Sequence, residues 1–174
     1  GNAETPQIVL DSQGNAHLVW ADAGAIVYSQ CNEDGCLEPE IVSASPSLTC
    51  ATDVTTHTAP AITINPDDRL MLVWETDTGV LPMLTWMAGD SPATAVAECV
   101  PVDSSLTAVR QPRVSSAKDG RFGLVFTSGL DADSTVSSAV FTTGWSDFVQ
   151  LGNGRYPEIV FGDENKAHAI WCGD

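Results

Sequence analysis

The sequence predicts an all-β chain built from a repeated four-stranded unit, and three observations carry that expectation. First, four segments align without gaps: Pro6 to Trp20, Pro60 to Trp74, Pro112 to Phe126 and Pro157 to Trp171, each with 14 residues from proline to aromatic. Second, each copy reads as two short apolar strands around a turn whose last residue is Gly14, Asp68, Gly120 or Asn165. Those residue types tolerate positive φ, so one turn geometry serves all four although the letters differ. Third, the second strand of the copies is mostly apolar on both faces, as in Leu18-Val19-Trp20 and Leu72-Val73-Trp74. Strands dry on both sides belong to sheets covered on both sides. Sheets stacked face to face around an axis satisfy all three observations, and that is a β-propeller. A two-sheet sandwich leaves the fixed hairpin unexplained.

The elements follow in order. After the proline comes the first strand: Ile8-Val9-Leu10, Ile62-Thr63-Ile64, Val114-Ser115-Ser116 and Ile159-Val160-Phe161. The second strand ends on the aromatic. A third follows in three copies, at Ile26-Val27-Tyr28, Leu84-Thr85-Trp86 and Ala139-Val140-Phe141, and a weaker fourth at Glu40–Val42, Ala97–Val100 and Asp147–Val149. The chain is thus expected to be a single partial propeller over 1–174, with blades at 6–46, 60–104 and 112–152 and a half-blade at 157–174.

The residues Pro6, Ile8, Asp11, Gly14, His17, Val19 and Trp20 spell P-x-I-x-x-D-x-x-G-x-x-H-x-V-W. The fourth copy keeps Pro157, Ile159, His168, Ile170 and Trp171. This resembles the repeats of bacterial extracellular propellers often grouped with sialidase-like folds. The resemblance covers essentially the whole chain; it implies a bacterial protein, secreted or at the cell surface, and its motif identifies a blade rather than an activity.

Three and a half blades fall short of a closed ring, which needs at least about four. An open arc would expose the dry faces of its end blades and an unpaired strand edge. Completion by another chain or by missing sequence is therefore expected, whether by self-association, for which a twofold pair of arcs would serve, or by another propeller-bearing chain. Cys172, at the open end, is expected to be free or to form an intermolecular bond.

Composition narrows the partners. Hydrophobic residues make up 43%, too many for disorder, and 23 Asp+Glu against 7 Lys+Arg give a net charge of −16. Such a field repels phosphate backbones and anionic membrane surfaces, so nucleic acid is excluded as a partner. No apolar run approaches the roughly 20 residues of a membrane span, which excludes membrane insertion. No zinc spacing occurs among Cys31, Cys36, Cys50, Cys99 and Cys172. Cys31 and Cys36 bracket a turn and suit a hairpin disulfide; Cys50 and Cys99 are the next pair, as expected of an exported protein.

Candidate chemistry sits where the loops vary. The connection from the second-strand aromatic to the third-strand aromatic lengthens from 8 residues (Trp20 to Tyr28) to 12 (Trp74 to Trp86) and 15 (Phe126 to Phe141). Variable loops on a rigid scaffold are the usual place for binding. This face collects Asp22, Glu75, Asp77, Asp131 and Asp133, together with Asp53 and His57 from the long connection after blade one; these are the ligand-binding candidates. Asp131 and Asp133 also open a D-x-D-x-S sequence like the start of a calcium loop, but it lacks the glycine and distal glutamate of an EF-hand. No other cofactor is indicated. His17 and His168 fill one repeat position and read as hydrogen-bonded strand residues; Trp20, Trp74 and Trp171 read as blade packing. No catalytic residues are assigned. Sialidase-type chemistry needs three arginines and a tyrosine–glutamate pair, and the arginines here (Arg69, Arg110, Arg113, Arg121, Arg155) are scattered over turns, a strand and blade entries. The favoured reading is an extracellular non-catalytic module for binding or scaffolding, with protein or glycan as ligand. The alternative is a fragment of a sialidase-like carbohydrate-active enzyme.

Overall fold

The computed structural model describes residues 3–43, 53–103, 105–130 and 133–173. They form an all-β arc of antiparallel sheets. Blade one comprises β1 (Glu4–Leu10), β2 (Ala16–Asp22) and β3 (Ala25–Asn32), with its outer edge split between β4 (Gly35–Cys36) and β5 (Glu40–Ile41). Blade two is β6 (His57–Ile64), β7 (Arg69–Thr76), β8 (Pro82–Met87) and β9 (Glu98–Cys99). Blade three is β10 (Arg110–Ser116), β11 (Phe122–Ser128), β12 (Thr135–Phe141) and β13 (Val149–Asn153). The two-stranded half-blade is β14 (Arg155–Phe161) and β15 (Ala167–Cys172).

The hairpin turn is the same object four times. Gly14, Asp68, Gly120 and Asn165 have φ of 86°, 58°, 88° and 56°. Their N–H groups donate to Asp11, Asn65, Ala117 and Gly162 carbonyls at 3.1, 3.0, 3.1 and 3.0 Å. A side chain reinforces it in the first two copies: the Asp11 carboxylate and the Asn65 amide oxygen each accept the N–H groups two and four residues on.

The first strands begin before the repeated proline, not after it. Each contains a bulge: register shifts between Glu4 and Gln7, Thr58 and Ala61, Arg110 and Arg113, and Arg155 and Glu158. The residue just before each proline is left-handed, with φ of 48° at Thr5, 46° at Ala59, 52° at Gln111 and 55° at Tyr156. A left-handed L-residue costs about 1–2 kcal/mol. The proline follows from the bulge, because the ring has no N–H and the bulge needs none there. The fourth strands also differ from expectation. Blade one's is in two pieces, and blade three's starts at Val149, leaving Asp147 and Phe148 outside it.

Packing follows the two-residue period of a strand. Leu70, Leu72 and Trp74 of β7 join a core against blade one, whereas Met71 and Val73 join a second core against blade three. All five are fully buried; each such side chain contributes roughly 1.5–3 kcal/mol. Gly123 of β11 makes room for the half-blade: a Cβ there would lie 2.8 Å from a Phe161 ring carbon and 2.9 Å from Ile159 Cδ1. The outward faces of the end units stay open, with Ile8 and Leu10 each 61% exposed, Val160 58% and Ile170 71%.

Cys31 and Cys36 form the hairpin disulfide. Cys99 is disulfide-bonded; its expected partner Cys50 lies outside the described residues. Cys172 is free and exposed. Among the described residues no helix is long and apolar enough to cross a membrane.

Candidate functional site: the bulged mouth of the arc

The four bulges lie at one end of the first strands, beside the ends of the second strands and the variable loops. They place two residues per blade at this rim: Glu4 and Thr5, Thr58 and Ala59, Arg110 and Gln111, Arg155 and Tyr156. Bulges next to functional sites typically re-aim side chains in this way.

Between blades one and two the rim opens into a cavity of about 290 Å3 lined by Glu4, Asp22, Gly24, Thr56, His57 and Thr58 among others. Asp22 ends β2, and its Oδ1 is buried without a hydrogen-bond partner. A buried carboxylate oxygen left unpaired is costly. His57 starts β6. Its Nδ1 accepts the Trp74 Nε1–H at 3.0 Å, which leaves Nε2–H as the donor of the neutral ring. Burial pushes this imidazole down, and the charge of Asp77 opposes that incompletely. Asp77 is exposed and accepts from the hydroxyl and the backbone N–H of Thr55, which hold its carboxyl below the usual carboxylate range.

Between blades three and four lies a smaller cavity of about 130 Å3, bordered by Arg110, Gln111, Thr127, Ser134, Arg155 and Tyr156. Gln111 is its organising residue. Its amide oxygen accepts the Tyr156 N–H at 3.1 Å, and its own N–H donates to Glu75 Oε2 at 3.1 Å. One bulge is thereby tied to the blade on either side. The two guanidinium groups are the cationic members of this rim, in a chain of net charge −16.

The loop-face candidates thus part company. Asp22 and His57 meet in one cavity, with Asp77 close enough to act on His57. Glu75 is a blade-to-blade tie. Asp53 is exposed, left-handed at φ 67° and lines neither cavity. Asp133 is exposed in the blade-three loop, and Asp131 lies outside the described residues. Among the described residues no three His, Cys, Asp or Glu side chains gather as a metal site. Sequence reasoning missed Glu4, Gln111 and Tyr156 as rim residues. Their signal was positional: they sit one or two places before the repeated proline.

No family model matches the chain, and no curated protein does. Solved structures do. An α-L-arabinofuranosidase from Podospora anserina in complex with cellotriose superposes with TM-score 0.63 at 17% identity, over 95% of this chain and 52% of that one. The Aleuria aurantia lectin in complex with Fucα1-6GlcNAc gives 0.63 at 7% identity, over 98% and 56%. The NanB sialidase from Streptococcus pneumoniae gives 0.59 at 15% identity, over 95% and 27%. The fold is a β-propeller. The chain spans between about a quarter and just over half the length of these structures, which are an arabinofuranosidase, a lectin and a sialidase.

Proposed function

We propose that the chain is an extracellular, non-catalytic β-propeller module that binds glycan through the bulged mouth, with its ring completed by another chain or by further sequence. The observation that carries this reading is the cavity between blades one and two, lined by the carboxyl residues Glu4 and Asp22 together with His57, Thr56 and Thr58. Such a set recognises the hydroxyl groups of a sugar, and propellers of like fold include a lectin and several carbohydrate-active enzymes. The hairpin disulfide supports an oxidising compartment. The exposed Ile8, Leu10, Val160 and Ile170 on the end faces support completion of the arc by apolar packing.

A glycan array tests the ligand class. Binding that is lost in Asp22→Asn/His57→Gln, without a change in melting temperature, is the expected result; a blank array over neutral, uronic and sialylated glycans overturns the reading. The second reading, a portion of a sialidase-like enzyme, is favoured by the pairing of Arg110 and Arg155 with Tyr156 around one cavity. Turnover of a chromogenic sialoside would establish it in place of the first. Native mass with and without reductant tests completion: a monodisperse monomer that binds no hydrophobic dye removes self-association.

A further inference from the structure

A cavity larger than either of those at the mouth lies on the outer flank of blade three. It measures about 630 Å3, within the roughly 300–1,000 Å3 of small-molecule sites. One wall is the connection leaving blade two, with Pro101, Asp103 and Leu106; the other is the outer part of blade three, with Trp145, Asp147 and Phe148.

The blade-three wall is held open by its own backbone. Phe141 bridges Trp145, and the regular ladder resumes only at Ser138 with Val149. Ser146 locks the splayed segment: its N–H donates to the Val140 carbonyl at 2.8 Å, and its Oγ accepts the Val140 N–H at 3.0 Å. Trp145 and Phe148 stack on each other with centroids 6.1 Å apart at 29°, and Phe148 meets Phe126 edge-on at 5.7 Å. These rings are in place before any ligand arrives, so binding forfeits little side-chain entropy to order them. The Trp145 Nε1–H has no hydrogen-bond partner.

The ionisable groups of the lining are both acceptors, beside the hydroxyl and amide groups of Thr135, Ser137, Ser146 and Gln150. Asp103 and Asp147 are exposed. The Ser105 N–H donates to Asp103 Oδ1 at 2.8 Å and holds its carboxyl below the usual range, which keeps it ionised at neutral pH. Among the described residues, neither lysine nor arginine lines the groove. Two carboxylates without a counter-charge exclude an anionic ligand, whereas they accept strongly from hydroxyl groups. Aromatic rings offer an apolar surface for the C–H face of a sugar ring.

We propose that this groove is a second binding site, for a neutral saccharide, with a sugar ring against Trp145 and Phe148 and hydroxyl groups donating to Asp103 and Asp147. The ligand class rests on the glycan reading above; the position of the site does not. The test is calorimetric titration of the full chain with cellotetraose, xylotetraose and mannotetraose, and with spermine as a cationic control. At least one neutral tetrasaccharide should bind, with an affinity indifferent to salt. The double substitution Asp103→Asn/Asp147→Asn should weaken it by about tenfold or more with an unchanged melting temperature, and Asp22→Asn/His57→Gln should leave it intact. Sugar binding that survives the groove pair and is lost in the mouth pair overturns the groove while leaving the glycan reading standing. Spermine binding alone, abolished by high salt, overturns the saccharide assignment. Absence of binding by all three neutral sugars overturns the groove, whereas the glycan reading falls only with a blank array.

Discussion

His17 and His168 occupy the same position of the same repeat, yet one is completely buried and the other exposed. In blade one, His17 Nδ1 lies 2.8 Å from the Tyr28 hydroxyl and Nε2 lies 3.3 Å from Asp11 Oδ2. Tyr28 comes from the third strand, and burial pushes its phenol up to about 12. It therefore keeps its proton and, with the imidazole in its Nε2–H tautomer, donates to Nδ1 while Nε2–H donates to Asp11. The chain of bonds ties the hairpin turn to the third strand. In the half-blade, Gly162 stands where Asp11 does, and the described residues supply no third strand to cover His168. The difference teaches that the motif histidine is a staple between the turn and the third strand, and that it has no work to do where those partners are missing.

Substitutions can break that contrast, and the largest effect falls on the buried partner. His17→Ala removes a filled, fully bonded site and should cost about 2–4 kcal/mol in urea unfolding, with a cavity and an orphaned Asp11 oxygen left behind. Gly123→Ala tests the same repeat position in blade three. Its Cβ would press on Phe161 and Ile159, so a loss of about 1–3 kcal/mol is expected although the same column carries the larger Met71 in blade two. Tyr28→Phe keeps the packing and deletes one donor; a loss of about 1–2 kcal/mol is expected.

Acid titration sharpens the comparison further. Burial would raise the Asp11 carboxyl, but hydrogen bonds from Asn15, His17 and Gln13 outweigh it and the net shift is downward. A folded value below the unfolded one of about 3.9 means that Asp11 contributes stability above the unfolded value and loses it as pH falls through the folded value. Asp11→Asn should therefore lose less stability than the parent between about pH 5 and about pH 3, read from urea midpoints. The smallest effect belongs to His168→Ala, within about 0.5 kcal/mol, because an exposed side chain away from any cap or core has little to lose. A His168 substitution as damaging as that of His17 would show that the half-blade's outer face is covered in solution.

Much of the architecture was legible in the letters. The turn is a local object, and Gly, Asn or Asp at its end is enough to announce positive φ. Two-sided burial of β7 was legible because Leu70 to Trp74 is apolar without interruption. The bulge was not: Thr5, Ala59, Gln111 and Tyr156 share no chemistry, and a residue before proline is ordinarily extended. Of the candidate site, acids on the loop face were foreseeable, but not that Asp22 and His57 would share a cavity while Glu75 tied two blades together. Charge alone could not sort them, since acids are spread over most of the chain.

By itself the sequence determined the repeat and the acidic field, which are read directly from the letters, and the turn and the alternation of each strand, which depend on neighbours a few residues away. Only the tertiary structure decided which equivalent residues are buried, where the rim opens into cavities and where aromatic rings and carboxylates face each other across blade three. Those outcomes depend on contacts between blades some fifty residues apart, and on whether a further blade is present to make them.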